Sequence, residues 1–330
     1  MIGIRICGTG SYLPDNVVTN EAFTAFLDTS DEWIRTRTGI VSRHIADSDT
    51  TWSMGAKAAQ RALTDANCAP EEIDLLLATS VTPDYYTPSI SCVVQGEIGV
   101  KNAACIDLNC ACAGFVYALD MARRYLACDD VNKVLIVSSE RLSGISDYED
   151  RSTCVLFGDG AGACVVEAAD TPYAFDMGAD GTGAHLMFGR HVLHRSPFSK
   201  APFVPNKILE NPSKDHVLYM DGHKVYKFAT QAMPLSVENA CKKAGLSPEA
   251  LDWIIPHQAN VRIVQTAMKR LGLPMEKAWL SIDHCGNTSS ASIPMALDEL
   301  AHSGKLHRGQ TIAVTGFGAG LTYAGAVFAY

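Results

Sequence analysis

The chain repeats itself, and the repeat limits what it can fold into. The stretch "RALTDANCAPEEIDLLLATS" (61–80) shares its plan with "ENACKKAGLSPEALDWIIPHQ" (238–258). Each reads as the end of a helix, a break at an Asn or Gly, then Pro-Glu-x-(Ile/Leu)-Asp and a short apolar run. Pro70 and Pro248 sit where a new element starts, and "IDLLLA" and "LDWII" read as buried strands. A loop and a helix ending at Gly99 or Gly272 follow. A second strand–loop–helix then appears in both halves, as "AACIDLNCACAGFVYALDMARRYL" and "AWLSIDHCGNTSSASIPMALDEL". Glycine-rich, hairpin-like segments close them, "TCVLFGDGAGACVVEA" and "TIAVTGFGAGLTYAGAVFAY". Alternating strands and helices predict an α/β protein whose sheets are covered by helices. The doubling predicts two similar halves, residues 1–172 and 173–330. The stretch 185–216 breaks the pattern with prolines and histidines and reads as an insertion or long loop.

Composition narrows the function classes. A chain of 330 residues, 47% hydrophobic and 19% charged, can bury a large core. A net charge of −9 argues against general nucleic-acid binding. No apolar run reaches the ~18 residues a membrane span needs, and Met1-Ile2-Gly3-Ile4-Arg5 is not a signal peptide, so a cytoplasmic protein is expected. Eleven cysteines scattered through apolar segments suit reduced thiols better than a disulfide framework. Cys105, Cys110 and Cys112 lack Cys-x-x-Cys pairing, so no metal site is expected. "GDGAGA" (158–163) loosely resembles a nucleotide loop, but the strand-like "CVVEA" follows where a helix would have to open. Close backbone packing is the better reading. "GFGAG" (316–320) brings bare amides near the centre, where they could bind an oxyanion.

The chemistry concentrates at the joints between strands and helices. In "IDLNCACAGFVYALDMA" (106–122) two cysteines precede a helix with apolar residues at Phe115, Leu119, Met121-Ala122 and Leu126. A cysteine at a helix start faces the positive end of the dipole, which favours thiolate over thiol. Cys112 lies next to that start and Cys110 nearer the strand. In an alternating pattern both share a face, so geometry alone does not decide between them, and either is also readable as a small core residue. The same joint of the second half carries Asn287, and its first joint carries His257 after Pro256. A structural histidine and a turn or cap asparagine would look the same in isolation. The repeat raises them above that, because pseudo-symmetry would bring the three loops together where the halves meet.

Across essentially its whole length the sequence resembles β-ketoacyl-acyl-carrier-protein synthase III, the initiating condensing enzyme of type II fatty-acid synthesis. The resemblance rests on "GTGSYLP" (8–14), "TSDEWIRTRTGIVSRHIA" (29–46), "ACAGFVYALDMA" (111–122), "DRSTCVLFGDGAGA" (150–163), "PHQANVRI" (256–263) and "GNTSSASIP" (286–294). It implies a thiolase-like fold of two pseudo-symmetric halves in five layers, αβαβα. It also puts the nucleophile on Cys112 rather than Cys110, with His257 and Asn287 completing a Cys-His-Asn triad. The oxyanion hole would be the backbone amides of Cys112 and of Ala319, where the family has glycine; Tyr323-Ala324 stands where Trp-Gly is frequent. By the same resemblance Trp33 and Arg151 flank the adenine of coenzyme A, Arg37 meets phosphate and Asn260 touches the pantetheine arm. Arg262, Lys269 and Lys227 would receive the acidic carrier protein. Thr87 would reach across a homodimer interface to the floor of the partner's acyl pocket.

The implied reaction is ping-pong. An acyl-coenzyme A acylates Cys112, malonyl-acyl-carrier protein enters, and decarboxylation gives the carbanion that attacks the acyl-enzyme. No metal or redox cofactor is implied; the acyl-coenzyme A thioester is a substrate. The chief alternative is a related condensing enzyme of alkylquinolone or polyketide-starter synthesis, with the same triad. A papain-like hydrolase also orders its residues Cys, His, Asn, but its Cys-Gly-x-Cys-(Trp/Tyr) motif is missing. A carrier-binding protein with a decayed site would not keep the full triad.

Overall fold

The computed structural model describes residues 2–128, 130–190, 196–198 and 214–330. The middle of the predicted 185–216 insertion lies outside the described residues.

The first half builds a five-stranded sheet from β1 (Gly3–Tyr12), β2 (Leu75–Thr79), β3 (Ala104–Leu108), β4 (Lys133–Arg141) and β5 (Asp159–Ala169), in the order β1-β5-β4-β2-β3. The second half builds a four-stranded sheet from β6 (Tyr173–Ala179), β7 (Trp253–Pro256), β8 (Thr311–Gly318) and β9 (Thr322–Ala329), in the order β7-β8-β9-β6. The pairings correspond. β2 runs parallel to β4 and β7 to β8, while β4–β5 and β8–β9 are antiparallel, as are the outer pairs β1–β5 and β6–β9.

Among the described residues the second sheet has no counterpart of β3. The strand expected at "AWLSI" shrinks to one bridge, Ile254 with Ala278. The reason lies in the Gln258 side chain. Its amide N–H donates to the Trp279 carbonyl (3.2 Å), and its oxygen accepts from the Ser281 N–H (3.1 Å). A side-chain amide thus satisfies the peptide groups a neighbouring strand would otherwise pair.

Helices α1 (Asp31–Thr38), α2 (Thr51–Asp65), α3 (Ile90–Ile98), α4 (Gly114–Tyr125), α5 (Gly222–Ala244), α6 (Val261–Leu271) and α7 (Ser292–His302) complete the layers. The largest core unites both sheets around α4 and α7: Ile4, Leu77 and Val134 on one side, Ile255, Val314 and Phe328 on the other, with Phe115, Leu119 and Leu297 between. Helices α2 and α3 cover the outer face of the first sheet, and α5 and α6 that of the second. This is the five-layered α/β arrangement. "GDGAGA" opens strand β5, as its sequence implied. A Cβ on Gly162 would come within 2.7 Å of the Met295 nitrogen, so glycine there lets α7 lie against the sheet.

Two local features carry the mouth of the site. Ser30 caps α1, its hydroxyl accepting from the Trp33 N–H at 3.1 Å. Gly39 ends the same helix at φ 85, and a Cβ there would meet Val261 at 2.9 Å. Helix α1 is therefore seated against the start of α6.

Candidate active site

Cys112 lies in a 3-10 turn, Ala111–Ala113, that leads directly into α4, and it is buried. The β8–β9 turn crosses close behind it. A Cβ on Gly318 would sit 2.5 Å from the Cys112 nitrogen, so the contact requires glycine. Thr322 ties the two turns together, donating to the carbonyls of Cys110 (2.9 Å) and Ala319 (3.2 Å). Ala319 does not take a positive φ, so alanine is accommodated there without the strain a left-handed backbone would impose.

The helix start and burial pull the Cys112 thiol in opposite directions. Burial pushes the Cys112 thiol up to about 12, the Glu140 carboxyl acts in the same direction, and the Ser289 hydroxyl opposes them. The start of α4 favours the anion by at most ~2 kcal/mol, and each ~1.4 kcal/mol is tenfold in ionisation. Loss of water outweighs the dipole.

His257 follows β7 and is fully enclosed. Burial holds its imidazole down to about 3, so the ring is neutral. Its Nδ1 lies 2.7 Å from the Ser292 hydroxyl, which also accepts from the Gln258 N–H at 3.3 Å, and the ring meets Phe317 edge-on at 5.5 Å. Asn287 is held by main-chain bonds to Leu156 (2.8 Å) and Gly158 (3.0 Å). Its Oδ1 accepts from the Ser289 N–H (2.9 Å), which leaves the side-chain NH₂ to donate.

Cys112, His257 and Asn287 line one cavity of about 230 Å³, together with Trp33, Arg37 and Asn260. Its walls are apolar, including Val225, Ile263 and Phe317. A larger space of about 580 Å³ lies over Arg61, Asp65, Asp298 and His302, away from these residues. Asp298 there is already taken by the hydroxyls of Thr9 (2.7 Å) and Ser11 (2.6 Å). The smaller, apolar cavity with convergent polar groups fits a substrate site better.

At the mouth, the guanidiniums of Arg37 and Arg151 lie 4.6 Å and 5.3 Å from the Trp33 ring centroid. The Asn260 oxygen caps α6, accepting from the Arg262 N–H at 2.9 Å. Other predicted residues lie outside the cavity. Arg262 and Lys269 are exposed on α6 and Lys227 on α5, and Arg262 donates to the Thr36 carbonyl at 2.8 Å. Thr87 is exposed on the loop between β2 and α3. Sequence reasoning missed Ser289, Ser292 and Glu140, whereas Gly318 stood within the "GFGAG" segment it placed near the centre. The serines stood within "GNTSSASIP" with nothing to rank them.

Two family models match the chain. Residues 106–181 match 3-oxoacyl-[acyl-carrier-protein (ACP)] synthase III and residues 241–330 its C-terminal model. The β-ketoacyl-[acyl-carrier-protein] synthase III of Clostridium acetobutylicum is 45% identical over 325 residues, 98% of this chain and 97% of that one. The crystal structure of 3-oxoacyl-[acyl-carrier-protein] synthase III from Aquifex aeolicus superposes with a TM-score of 0.90 at 40% identity, over 99% of this chain and 100% of the other. The priming β-ketosynthase from the R1128 polyketide pathway gives 0.90 at 38%, over 99% and 96%. The fold is thus the thiolase-like one, and the protein is an acyltransferase of that class. Within it, the chain belongs to the β-ketoacyl-[acyl-carrier-protein] synthase III family.

Proposed function

We propose that the protein catalyses the decarboxylating condensation of an acyl-coenzyme A primer with malonyl-acyl-carrier protein, giving β-ketoacyl-acyl-carrier protein and carbon dioxide, the first step of fatty-acid synthesis. The observation that carries this reading is the convergence of Cys112, His257 and Asn287 in one apolar cavity with Trp33, Arg37 and Asn260 on it. Cys112 attacks the primer thioester, and coenzyme A leaves as its thiol. The amides of Cys112 and Ala319 receive the oxyanion. Malonyl thioester then binds with its carbonyl oxygen toward His257 Nε2 and the Asn287 NH₂. Ser292 donating to Nδ1 would keep the ring proton on Nε2, where it is needed. Carbon dioxide leaves, the enolate carbon attacks the acyl-cysteine, and the Cys112 sulfur departs and regains a proton from solvent. The chemistry calls on no metal or redox cofactor.

Each half, 1–172 and 173–330, contributes to this site. Among the described residues strand β3 pairs only with β2, so one of its edges is open, and Tyr85 and Tyr86 are exposed on the loop that follows β2. Open edges are ordinarily covered. A second copy paired along β3 would cover this one and bring Thr87 toward the partner's acyl pocket. A homodimer working in the cytoplasm fits these features. Trp33 and Arg151 offer stacking for adenine, Arg37 takes phosphate, and Asn260 meets the pantetheine arm. Arg262, Lys269 and Lys227 supply the local positive surface an acidic carrier needs on a chain of net charge −9.

The test is to incubate the protein with a series of acyl-coenzyme A thioesters, follow mass gain on the Cys112 peptide, then add malonyl-carrier protein. Acylation followed by carbon dioxide and β-ketoacyl product is expected; acylation without either would sink the reading. The primer series also separates fatty-acid initiation from polyketide-starter synthesis, which the R1128 relative keeps in view. Arg262→Glu with Lys269→Glu should raise KM for the carrier about 10-fold at low salt and spare acylation, an effect that shrinks as salt screens exposed charge. Equal damage to both half-reactions would assign these residues elsewhere.

A further inference from the structure

Behind the cavity lies a cation that the condensation does not use. Arg43 stands in a short ladder, Ser42–His44 paired with Val17–Thr19, and is 0% exposed. Among the described residues its guanidinium is bonded to no carboxylate. A cation withdrawn from water without a counter-ion costs stability, and an apolar side chain of that volume would fill the space without the cost. What the guanidinium adds is its planar fork of donors.

That fork joins three pieces of chain. Nη1 donates to the Val18 carbonyl (3.1 Å), and Nη2 to the Asn20 side-chain oxygen (2.8 Å) and the Val155 carbonyl (2.8 Å), with the Phe23 ring centroid 4.7 Å from the guanidinium carbon. Asn20 passes the link to the mouth of the site. Its side-chain NH₂ donates to Asp31 in the first turn of α1 (2.8 Å) and to the Ile40 carbonyl just beyond that helix (2.8 Å).

Val155 passes it to the triad. The next carbonyl, that of Leu156, accepts from the Asn287 N–H (2.8 Å), and the Gly158 N–H donates to the Asn287 carbonyl (3.0 Å), so that Phe157 and Asn287 form a parallel bridge. Val155, Leu156 and Asn287 all line the cavity. The arginine stem packs against both chains of this joint: Cβ atoms on Gly158 and Gly286 would each lie 3.1 Å from the Arg43 Cβ. The Cys112 turn hangs instead on Thr322 and Gly318.

We infer that Arg43 is a positioning residue for the malonyl half-reaction. Through Val155 it holds the main chain that seats Asn287, and so sets where the Asn287 NH₂ meets the malonyl thioester oxygen. The inference rests on the role proposed above for Asn287. Arg43 itself touches no substrate. Lysine in its place keeps the charge and loses the fork that spans Val18, Asn20 and Val155. A donor misplaced by about 1 Å costs ~10²-fold in rate.

The test measures the two half-reactions separately, as mass gain on Cys112 from acyl-coenzyme A and as carbon dioxide released when the acylated enzyme meets malonyl-carrier protein. The proteins are wild type, Arg43→Lys, Asn287→Ala and the double variant. Arg43→Lys should acylate at the wild-type rate and condense ~10²-fold more slowly, with KM for the carrier little changed. In the Asn287→Ala background the same substitution should add little, because the group it positions is gone. A merely structural role would slow both half-reactions and multiply with the loss of Asn287. Equal loss of both half-reactions, condensation of Arg43→Lys at the wild-type rate, or losses that multiply in the double variant overturn the inference. Should Arg43→Lys fail to fold, Asn20→Ala, which removes one acceptor and keeps the guanidinium, is read by the same criteria and should show a smaller loss. Wild type that is acylated but releases no carbon dioxide overturns the proposed condensation, and Asn287→Ala that condenses at the wild-type rate overturns the role of Asn287; either result takes this inference with it.

Discussion

Two turns, one in each half, share a backbone and differ in what surrounds them. In the first, Asn109 accepts the Ala111 N–H at 3.3 Å; in the second, Asn287 accepts the Ser289 N–H at 2.9 Å. Ala111 and Ser289 have φ 49 and 50. Each turn then makes one 3-10 segment, Ala111–Ala113 or Ser289–Ala291, and enters a central helix. In this register Cys112 corresponds to Ser290, Asn287 to Asn109 and His257 to Thr79. Asn287 shares a joint with Cys112, as the repeat implied, but stands three places earlier in it. The counterpart residues Thr79 and Ser290 are hydrogen-bonded at 3.0 Å and closed over by Glu140. Cys112, His257 and Asn287 open onto a cavity instead. The duplicated fold supplies the geometry twice. Chemistry follows where one copy carries a nucleophile and donors around a space, while the other fills that space with its own hydroxyls.

Cys112→Ser makes the two turns alike and should have the largest effect. Serine has no comparable nucleophile at neutral pH, so mass gain from acyl-coenzyme A and condensation should both be abolished. Acylation of the variant near the wild-type rate would show that the thiol is not what distinguishes the turns. The next contrast is dryness. A free cysteine near 9.0 and one held near about 12 differ by ~10³ in thiolate content at a given neutral pH. The ultraviolet thiolate signal lost in Cys112→Ser should therefore be absent at neutral pH and emerge only as pH climbs toward 12. A thiolate already present at pH 7 would mean that the helix start, not burial, governs this residue.

His257→Ala and Asn287→Ala should keep acylation and lose ~10²–10³ in condensation, the usual cost of one donor to a developing oxyanion. Equal loss from both half-reactions would put them in the fold rather than on the malonyl group. Ser292→Ala should act in the same direction and less, lowering kcat about 10-fold with KM for the carrier little changed, because a ring without its partner divides between two tautomers. A change confined to KM would remove Ser292 as the group that sets the tautomer.

These contrasts were unevenly legible in the sequence. The doubled Pro-Glu-x-(Ile/Leu)-Asp signal foretold two similar sheets, because buried strands and their punctuation leave a local mark. The lost fifth strand left none, since an amide side chain replacing a strand, as Gln258 does, depends on tertiary contact. Cys112 and His257 were visible as reactive residue types at joints. Glu140 sat at the end of "KVLIVSSE" and read as the edge of a strand, where an acidic residue is ordinary. The opposing pull of burial on Cys112 was not legible, because the helix start is local, whereas exclusion of water is set by Gly318, Phe317 and other residues brought in from far along the chain.

The smallest expected effect concerns the open edge of the first half, which has no counterpart in the second. Thr87 lies on the loop beside β3 and contributes nothing to the cavity of its own chain. If a second copy pairs along β3, Thr87 becomes the floor of the neighbouring pocket. The resemblance implies a phenylalanine at this position in relatives that prefer acetyl primers. Threonine is far smaller and should leave a deeper channel, in which each buried methylene contributes up to ~0.8 kcal/mol. Discrimination between adjacent lengths stays modest, around 10-fold, because an apolar pocket rejects a missing methylene weakly. The exposed rings of Tyr85 and Tyr86 stand beside Thr87 and are the groups able to refill the space. The measurement is kcat/KM over a primer-length series for wild type and Thr87→Phe, with sedimentation confirming the same oligomeric state for both. Wild type should accept acyl groups longer than acetyl, and the variant should shift toward shorter ones. Strict acetyl preference in wild type, or an unshifted profile in Thr87→Phe, would leave the open edge without a role in primer choice.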